Sequence, residues 1–285
     1  MKNRLIKTLN IKRFKLVLLL EGLLVGILAG LVIVGYRICL TNGALWLQRI
    51  LAYCKQSIFT IIIWFVILFV IALVVTKLLD WESLISGSGI PQLEGELAGK
   101  IDAKWWRVLI AKFFGGFLAN FSGLSLGREG PSIQLGAMVG KGIGKVLKRG
   151  KTEERYLLTC GASAGLAAAF HAPLAGVMFA LEEVHKHFSA PLLISVMTSS
   201  IAADYLMSSI LGMAPVFSFN IHGTLPTQYY WMVIILGIIL GLLGAFYNKA
   251  LLFVQSLYNH SKHLNNYTKL LIPFILAGIL GFTVP

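Results

Sequence analysis

The stretch Gln56–Thr76 runs for 21 residues without a charged side chain. As an α-helix it is long enough to cross the roughly 30 Å hydrocarbon core of a bilayer. Only 13% of the chain is charged, where a soluble domain carries about 25%. The chain is therefore predicted to be an all-α, multi-pass membrane protein and not a soluble enzyme. Other apolar runs cover 16–40, 113–127, 156–181, 188–211, 228–248 and 270–285.

The net charge of +13 does not indicate nucleic-acid binding, because no separate polar domain carries it. Basic residues cluster at the ends of apolar runs, as on the cytoplasmic side of membrane proteins. Residues 1–15 are basic without an acidic residue, and the run 16–40 is too long for a signal peptide. We expect a cytoplasmic N-terminus. A second basic cluster, also expected on the cytoplasmic side, contains Lys141, Lys145, Lys148, Arg149 and Lys151.

The sequence Gly127-Arg128-Glu129-Gly130-Pro131 places a glutamate inside apolar surroundings. An ionisable side chain at such a place is costly and is a functional-site hypothesis by default. Glycine lets the backbone approach a ligand, and proline suits the first turn of a helix. Backbone N–H groups that converge at a helix N-terminus bind anions. The motif therefore indicates anion transport.

The apolar run Tyr156–Leu181 is broken by His171-Ala172-Pro173. Because proline disrupts a helix interior, the run predicts two shorter helices. Discontinuous helices are typical of transporter sites. The many glycine and alanine residues before the break predict close helix packing. The run ends at Glu182-Glu183, close to His185 and His187.

A shift of 211 residues brings two segments into register, which suggests an internal repeat. Such repeats are common in transporters. We therefore predict a basic segment at 1–15, a first membrane repeat at 16–211, a loop at 212–227 and the start of an incomplete second repeat at 228–285. The matched residues are Gly26 with Gly237, Ile27 with Ile238, Gly30 with Gly241, Leu31 with Leu242, Tyr36 with Tyr247 and Leu40 with Leu251.

Three motifs together resemble the CLC family of chloride channels and transporters: Gly87-Ser88-Gly89-Ile90-Pro91, Gly127–Pro131 and the segment from Gly165 to Glu183. They occur in the family's order and at its spacing. The resemblance implies an inverted-repeat helical fold with broken and tilted helices, truncated here in the second repeat. It also implies a homodimer in the cell membrane, with one pore per subunit.

The resemblance implies proton-coupled chloride exchange without a metal or other cofactor. Glu129 would be the external gate, Glu183 the internal proton-transfer glutamate, and Ser88 a hydroxyl ligand of the central chloride. Lys112 and Arg128 would supply positive potential without direct ligation. The implied anion-binding residues are Ser88, Gly89, Ile90, Arg128, Glu129 and Gly130. Cys39, Cys54 and Cys160 show neither disulfide pairing nor metal spacing.

Two other functions stay open. The first is a passive chloride channel, and the second is a non-transporting half-protein that needs a partner chain. The family's later Gly-x-Phe-x-Pro motif and chloride-site tyrosine do not occur in the 285 residues. Fluoride-exporting relatives usually lack the serine equivalent to Ser88, so its presence favours chloride.

Each site residue also has a structural alternative. Glu129 could pair with Arg128, Ser88 could cap a helix, and Glu183 could lie at a solvated helix end. Asp204 has no assigned role, and His185 and His187 are read as interfacial rather than as pH sensors. Two further residues are read as local features: His171 stands where the family commonly has asparagine, and Glu21 is expected to snorkel or pair with a basic neighbour.

Overall fold

The computed structural model describes residues 2–212, 223, 226–260 and 265–283, with backbone only for 2–14 and 259–260. Helices make up all the regular secondary structure of this described part. A π-helical turn, Ala180–His185, directly follows the short α-helix Pro173–Phe179. The α-helices are α1 Lys2–Cys54, α2 Ile58–Trp81, α3 Ile90–Leu97, α4 Trp105–Phe121, α5 Glu129–Val146, α6 Lys151–Phe170, α7 Pro173–Phe179, α8 Ala190–Leu211, α9 Tyr230–His260 and α10 Asn266–Thr283.

Within the described residues, five helical segments are long and apolar enough to cross a membrane. They lie in α1, α2, α8, α9 and α10. The length and apolar composition of these helices confirm the prediction of a multi-pass membrane protein. The predicted loop 212–227 lies mostly outside the described residues.

The first helix is longer than its apolar run 16–40 indicates. α1 continues without a break from Lys2 to Cys54, 53 residues in all. At 1.5 Å per residue it is about 80 Å long, far more than a bilayer's hydrocarbon core. Gly43 does not end the helix, since it is packed against the ring of Phe117 in α4. The boundary of the basic segment at residue 15 stays a prediction.

Helices α5 and α6 pack backbone to backbone, as their glycines predict. A Cβ on Gly136 would collide with the carbonyl oxygen of Gly161, and a Cβ on Gly165 would collide with that of Ser132. These pairs run in opposite directions along the two helices, so the helices are antiparallel. The end of α6 therefore lies level with the start of α5.

Helices α1 and α8 run parallel. A Cβ on Gly22 would come 2.8 Å from the carbonyl oxygen of Ser195, and one on Gly30 would come 3.0 Å from Cα of Ala203. The Nε of Arg149, in the loop between α5 and α6, donates to Glu21 Oε1 of α1 at 2.6 Å. The predicted pairing of Glu21 with a basic residue is confirmed. The part of α1 around Glu21 and the start of α8 thus lie at the same end of the molecule as the loop between α5 and α6.

Lys141, which the sequence assigns to a basic cluster expected on the cytoplasmic side, has acidic and carbonyl partners in the fold. It is fully buried, and its ammonium group forms an ion pair with Glu96. It also donates to Asp102 Oδ1 and to the Ala103 carbonyl oxygen, each at 2.7 Å. The chain between α3 and α4 folds over α5 here, so the charge of this buried lysine is neutralised by the buried Glu96 and by Asp102, whose side chain is mostly exposed.

The predicted break at His171–Pro173 is confirmed. α6 ends with His171 in the left-handed conformation (φ 55°), and α7 begins at Pro173. The internal repeat stays a prediction. α9, the counterpart of α1, has open space around Gly237 and Gly241, whereas Gly26 and Gly30 are packed against α8.

Candidate functional site

A glycine-rich loop leads into α3. Gly87 and Gly89 adopt positive φ angles of 69° and 92°, which favour glycine because it lacks a Cβ. Gly89 is the N-cap residue of α3, so Ser88 is not the helix cap that the structural alternative proposed. The Ser88 hydroxyl nevertheless accepts a hydrogen bond from the Ile90 N–H at 3.3 Å. Ser88 is exposed, which leaves its O–H free to donate outward.

Two buried polar side chains hold this loop. The Lys112 ammonium donates to the carbonyl oxygens of Ile85 at 2.8 Å and Gly87 at 2.7 Å. Gln134 donates from Nε2 to the Leu84 carbonyl oxygen at 2.8 Å. Lys112 thus brings a positive charge beneath the loop while its donors face backbone carbonyls. Sequence reasoning missed Gln134, although an amide within the apolar start of α5 was a usable signal.

Glu129 is the first residue of α5, and Arg128 is its N-cap. The carboxylate turns back over Gly127: a Cβ on that glycine would lie 2.7 Å from Glu129 Oε2. Within the described part of the chain no ion pair joins Arg128 to Glu129. The geometry therefore gives no support to a structural pair between these two neighbours.

The two glycine-rich loops meet. A Cβ on Gly130 would come 2.7 Å from the Ser88 carbonyl oxygen and 3.0 Å from Ser88 Cα. The N-termini of α3 and α5 therefore approach each other with Ser88 and Glu129 at their ends. Free N–H groups and two helix dipoles converge on this place, which suits an anion.

Glu183 lies in the π-helical turn Ala180–His185, away from this convergence. Its side chain is exposed, as is that of Glu182. No hydrogen bond or ion pair between described residues connects Glu183 with Glu129. Near it, His185 Nδ1 lies 2.8 Å from Thr159 Oγ1. A π-helical turn is frequent at functional sites, but here a solvated helix end accounts for the exposure equally well.

Asp204, which had no role from the sequence, lies beside His171. Its Oδ1 atom is 3.4 Å from His171 Nδ1. The other ring nitrogen, Nε2, is 2.9 Å from Nη1 of Arg37. Residue 171 adopts a left-handed conformation that both asparagine and histidine tolerate. Histidine thus fits the backbone here and also links α1 to α8.

The sequence profile of the voltage-gated chloride channel family matches residues 69–285. The chain belongs to the CLC family. The match begins within α2 and includes both glycine-rich loops. The family assignment and the fold class expected from the three motifs are therefore confirmed.

CLC structures with the same fold include a slow cyanobacterial Cl⁻/H⁺ antiporter, with a TM-score of 0.85 and 31% identity over 94% of this chain. The chain spans 64% of that antiporter's length. A CLC-type fluoride/proton antiporter has a TM-score of 0.70 at 22% identity, over 93% of this chain and 64% of its own. A eukaryotic CLC transporter has a TM-score of 0.70 at 23% identity, over 94% of this chain and 48% of its own.

Proposed function

We propose that the protein exchanges chloride for protons across a membrane, with Glu129 as the gate. The observation that carries the proposal is the contact between Gly130 and the Ser88 backbone. This contact brings the N-termini of α3 and α5, which carry Ser88 and Glu129, next to each other. The similarity to the Cl⁻/H⁺ antiporter and the family match support it.

The chemistry of the site suits a partly dehydrated anion. Chloride that leaves water needs O–H and N–H donors, yet it must not be held too tightly for turnover. Ser88 offers a hydroxyl, and the backbone near Ile90 and Gly130 offers N–H groups. Lys112 contributes positive potential from below, and its hydrogen bonds to Ile85 and Gly87 keep it from ligating the anion.

Coupling follows from competition between the Glu129 carboxylate and chloride for one site. A charged carboxylate occupies the anion position, and a protonated one leaves it. Glu183 is proposed to exchange protons with the other side of the membrane, since it lies near the end of the molecule that holds Arg149 and Lys151. The Glu21–Arg149 pair joins α1 to that end, which supports the proposed cytoplasmic N-terminus.

Flux from proteoliposomes tests the proposal, with chloride and proton movement recorded together. Glu129→Gln should leave chloride movement and abolish proton movement, because the gate no longer titrates. Glu183→Gln should also keep chloride movement and lose proton movement. Glu182→Gln is the matched control and should retain both. Wild-type vesicles that move no chloride would overturn the proposal.

A passive channel is the alternative within the same family. It would show chloride movement in wild-type vesicles with no accompanying proton movement, and Glu183→Gln would change nothing.

The proposal also includes a homodimer with one pore per subunit. Cross-linking in the membrane, scored with single-molecule mass measurement, checks that part: a single-subunit mass at all protein densities would contradict it.

A further inference from the structure

A charged cluster outside the proposed gate joins three helices. Arg37 lies on α1, His171 closes α6 and Asp204 lies on α8. Arg37 Nη1 is 2.9 Å from His171 Nε2, and Asp204 Oδ1 is 3.4 Å from His171 Nδ1. The His171 side chain is 12% exposed and that of Asp204 is 22% exposed, so both are largely shielded from solvent.

The cluster lies at the same end of the molecule as Glu129. The antiparallel packing of α5 and α6 sets the end of α6 level with the start of α5. The charge of Arg128, next to Glu129, also acts on Arg37. The ionisable groups around His171 are therefore Arg37 from α1, Arg128 and Glu129 from α5, and Asp204 from α8. The end of α6 and all of α7 contribute none.

The hydrogen bonds determine the tautomer of His171. A guanidinium can only donate, so Nε2 must accept the bond from Arg37 and carry no proton. The single ring proton of neutral His171 is then on Nδ1, facing Asp204 Oδ1 and, at 3.4 Å, Ser208 Oγ. The Asp204 Oδ1 atom is excluded from solvent and accepts no hydrogen bond from any described residue.

We propose that His171 with Asp204 is a second proton-binding site, whose protonation breaks the hydrogen bond between Arg37 and His171. A proton on Nε2 would face the Arg37 donor, and two cations cannot share that bond. The imidazolium would instead gain a charge-assisted hydrogen bond to the unpartnered Asp204 oxygen. The charge of the imidazolium would raise the positive potential at the end of the molecule that holds Glu129. This inference rests on the proposed function only for its effect on chloride.

Histidine NMR of the full-length protein in nanodiscs tests the proton site without any transport. His171→Asn assigns the His171 signal and preserves the left-handed backbone. Asp204→Asn should move the titration midpoint of His171 to lower pH, because a stabilising negative charge is lost. Arg37→Gln should move it to higher pH, because a repelling positive charge is lost. His187→Asn is the control and should leave it unchanged.

Opposite shifts support the inference, since a merely structural contact would not produce them. A midpoint that neither variant moves, or a His171 that does not titrate between about pH 4 and 8, overturns it. These outcomes do not depend on whether the protein carries chloride.

The effect on chloride is measured in the Glu129→Gln background, where the gate itself cannot titrate. Lowering the outer pH from 7.5 to 5.5 should lower the half-saturating outer chloride concentration about threefold, the size expected for a partly exposed charge. Adding His171→Asn should remove this change, and adding His187→Asn should not. A change that survives His171→Asn overturns this effect of His171 protonation on chloride. An absence of chloride flux in every protein contradicts the proposed function instead, and the NMR result still decides the proton site.

Discussion

Gly130 lies directly on the backbone of Ser88, so that a methyl group on Gly130 would come within 2.7 Å of the Ser88 carbonyl oxygen. The atoms that it would meet are backbone atoms, which cannot turn aside as the end of a side chain can. The contact therefore fixes the distance between the starts of α3 and α5. It is the relationship on which the proposed anion site depends.

Gly130→Ala should weaken chloride binding at least about tenfold, because the two loops must separate. Ser88→Ala should weaken it less, about fivefold, since it removes one hydroxyl donor and leaves the loops in contact. Calorimetric titration with chloride measures both. Gly35→Ala, a helical glycine with open space around it, is the control. Equal effects of Gly130→Ala and Gly35→Ala would show that the loop contact does not matter for binding.

Lys112→Met should destabilise the protein by about 2–4 kcal/mol, because the carbonyl oxygens of Ile85 and Gly87 lose their donor in a buried place. Thermal unfolding in detergent, followed by the remaining monodisperse fraction, checks this. Lys77→Met replaces an exposed lysine on α2 and should have little effect. If both variants unfold at the wild-type temperature, Lys112 does not hold the loop.

Gly161→Ala should destabilise the pair of α5 and α6 by about 1–3 kcal/mol or more, since the new methyl would meet the Gly136 backbone. Gly237→Ala makes the same change where nothing lies within 4 Å of the new group. We expect the second variant to match or exceed wild-type stability, because alanine favours a helix over glycine. Unfolding in denaturant compares the two. Similar losses from both would argue against close packing as the cause.

Lys141→Met should be among the most damaging single substitutions, at about 3–5 kcal/mol, because it leaves the buried Glu96 carboxylate unpaired. Lys145→Met breaks an ion pair with Glu154 in which the lysine is half exposed. That loss should stay below about 1 kcal/mol. The yield and unfolding temperature of the purified variants provide the comparison. A Lys141→Met protein as stable as Lys145→Met would contradict the buried role of Lys141.

The environment of Asp102 predicts that the stability of the protein depends on pH. The hydrogen bond from Lys141, followed by its charge, lowers the pKa of Asp102 below its ordinary value of 3.8. The stabilisation is therefore complete above pH 3.8 and is lost as the pH falls through the lower folded-state pKa. Its size is under about 1 kcal/mol, because the Asp102 side chain is mostly exposed. The difference in unfolding temperature between wild type and Asp102→Asn should shrink as the pH falls below 3.8; a constant difference would refute the linkage.

Periodicity and composition predicted much of the fold. The uncharged length of Gln56–Thr76 predicted α2, and Pro173 predicted the break between α6 and α7. These features are local: a helix needs length without charge, and proline acts on its own turn. The glycine-rich loops were likewise visible, because positive φ angles at Gly87 and Gly89 require a residue without Cβ.

The sequence could not place the charged side chains, whose partners lie far along the chain. In the sequence Lys141 belongs to a basic cluster, and only the fold brings Glu96 and Asp102 over it. Asp204 had no assignable role until α8 was packed parallel to α1, close to His171.

The sequence by itself determined the family, the membrane class and the two loops that carry the proposed site. The tertiary structure decided which loops touch and which charges are neutralised. The physical reason is the distance along the chain between the interacting residues. The length of an apolar run and the local backbone conformation depend only on near neighbours in the sequence. The Gly130–Ser88 contact and the link from Arg37 through His171 to Asp204 exist only after distant helices have packed.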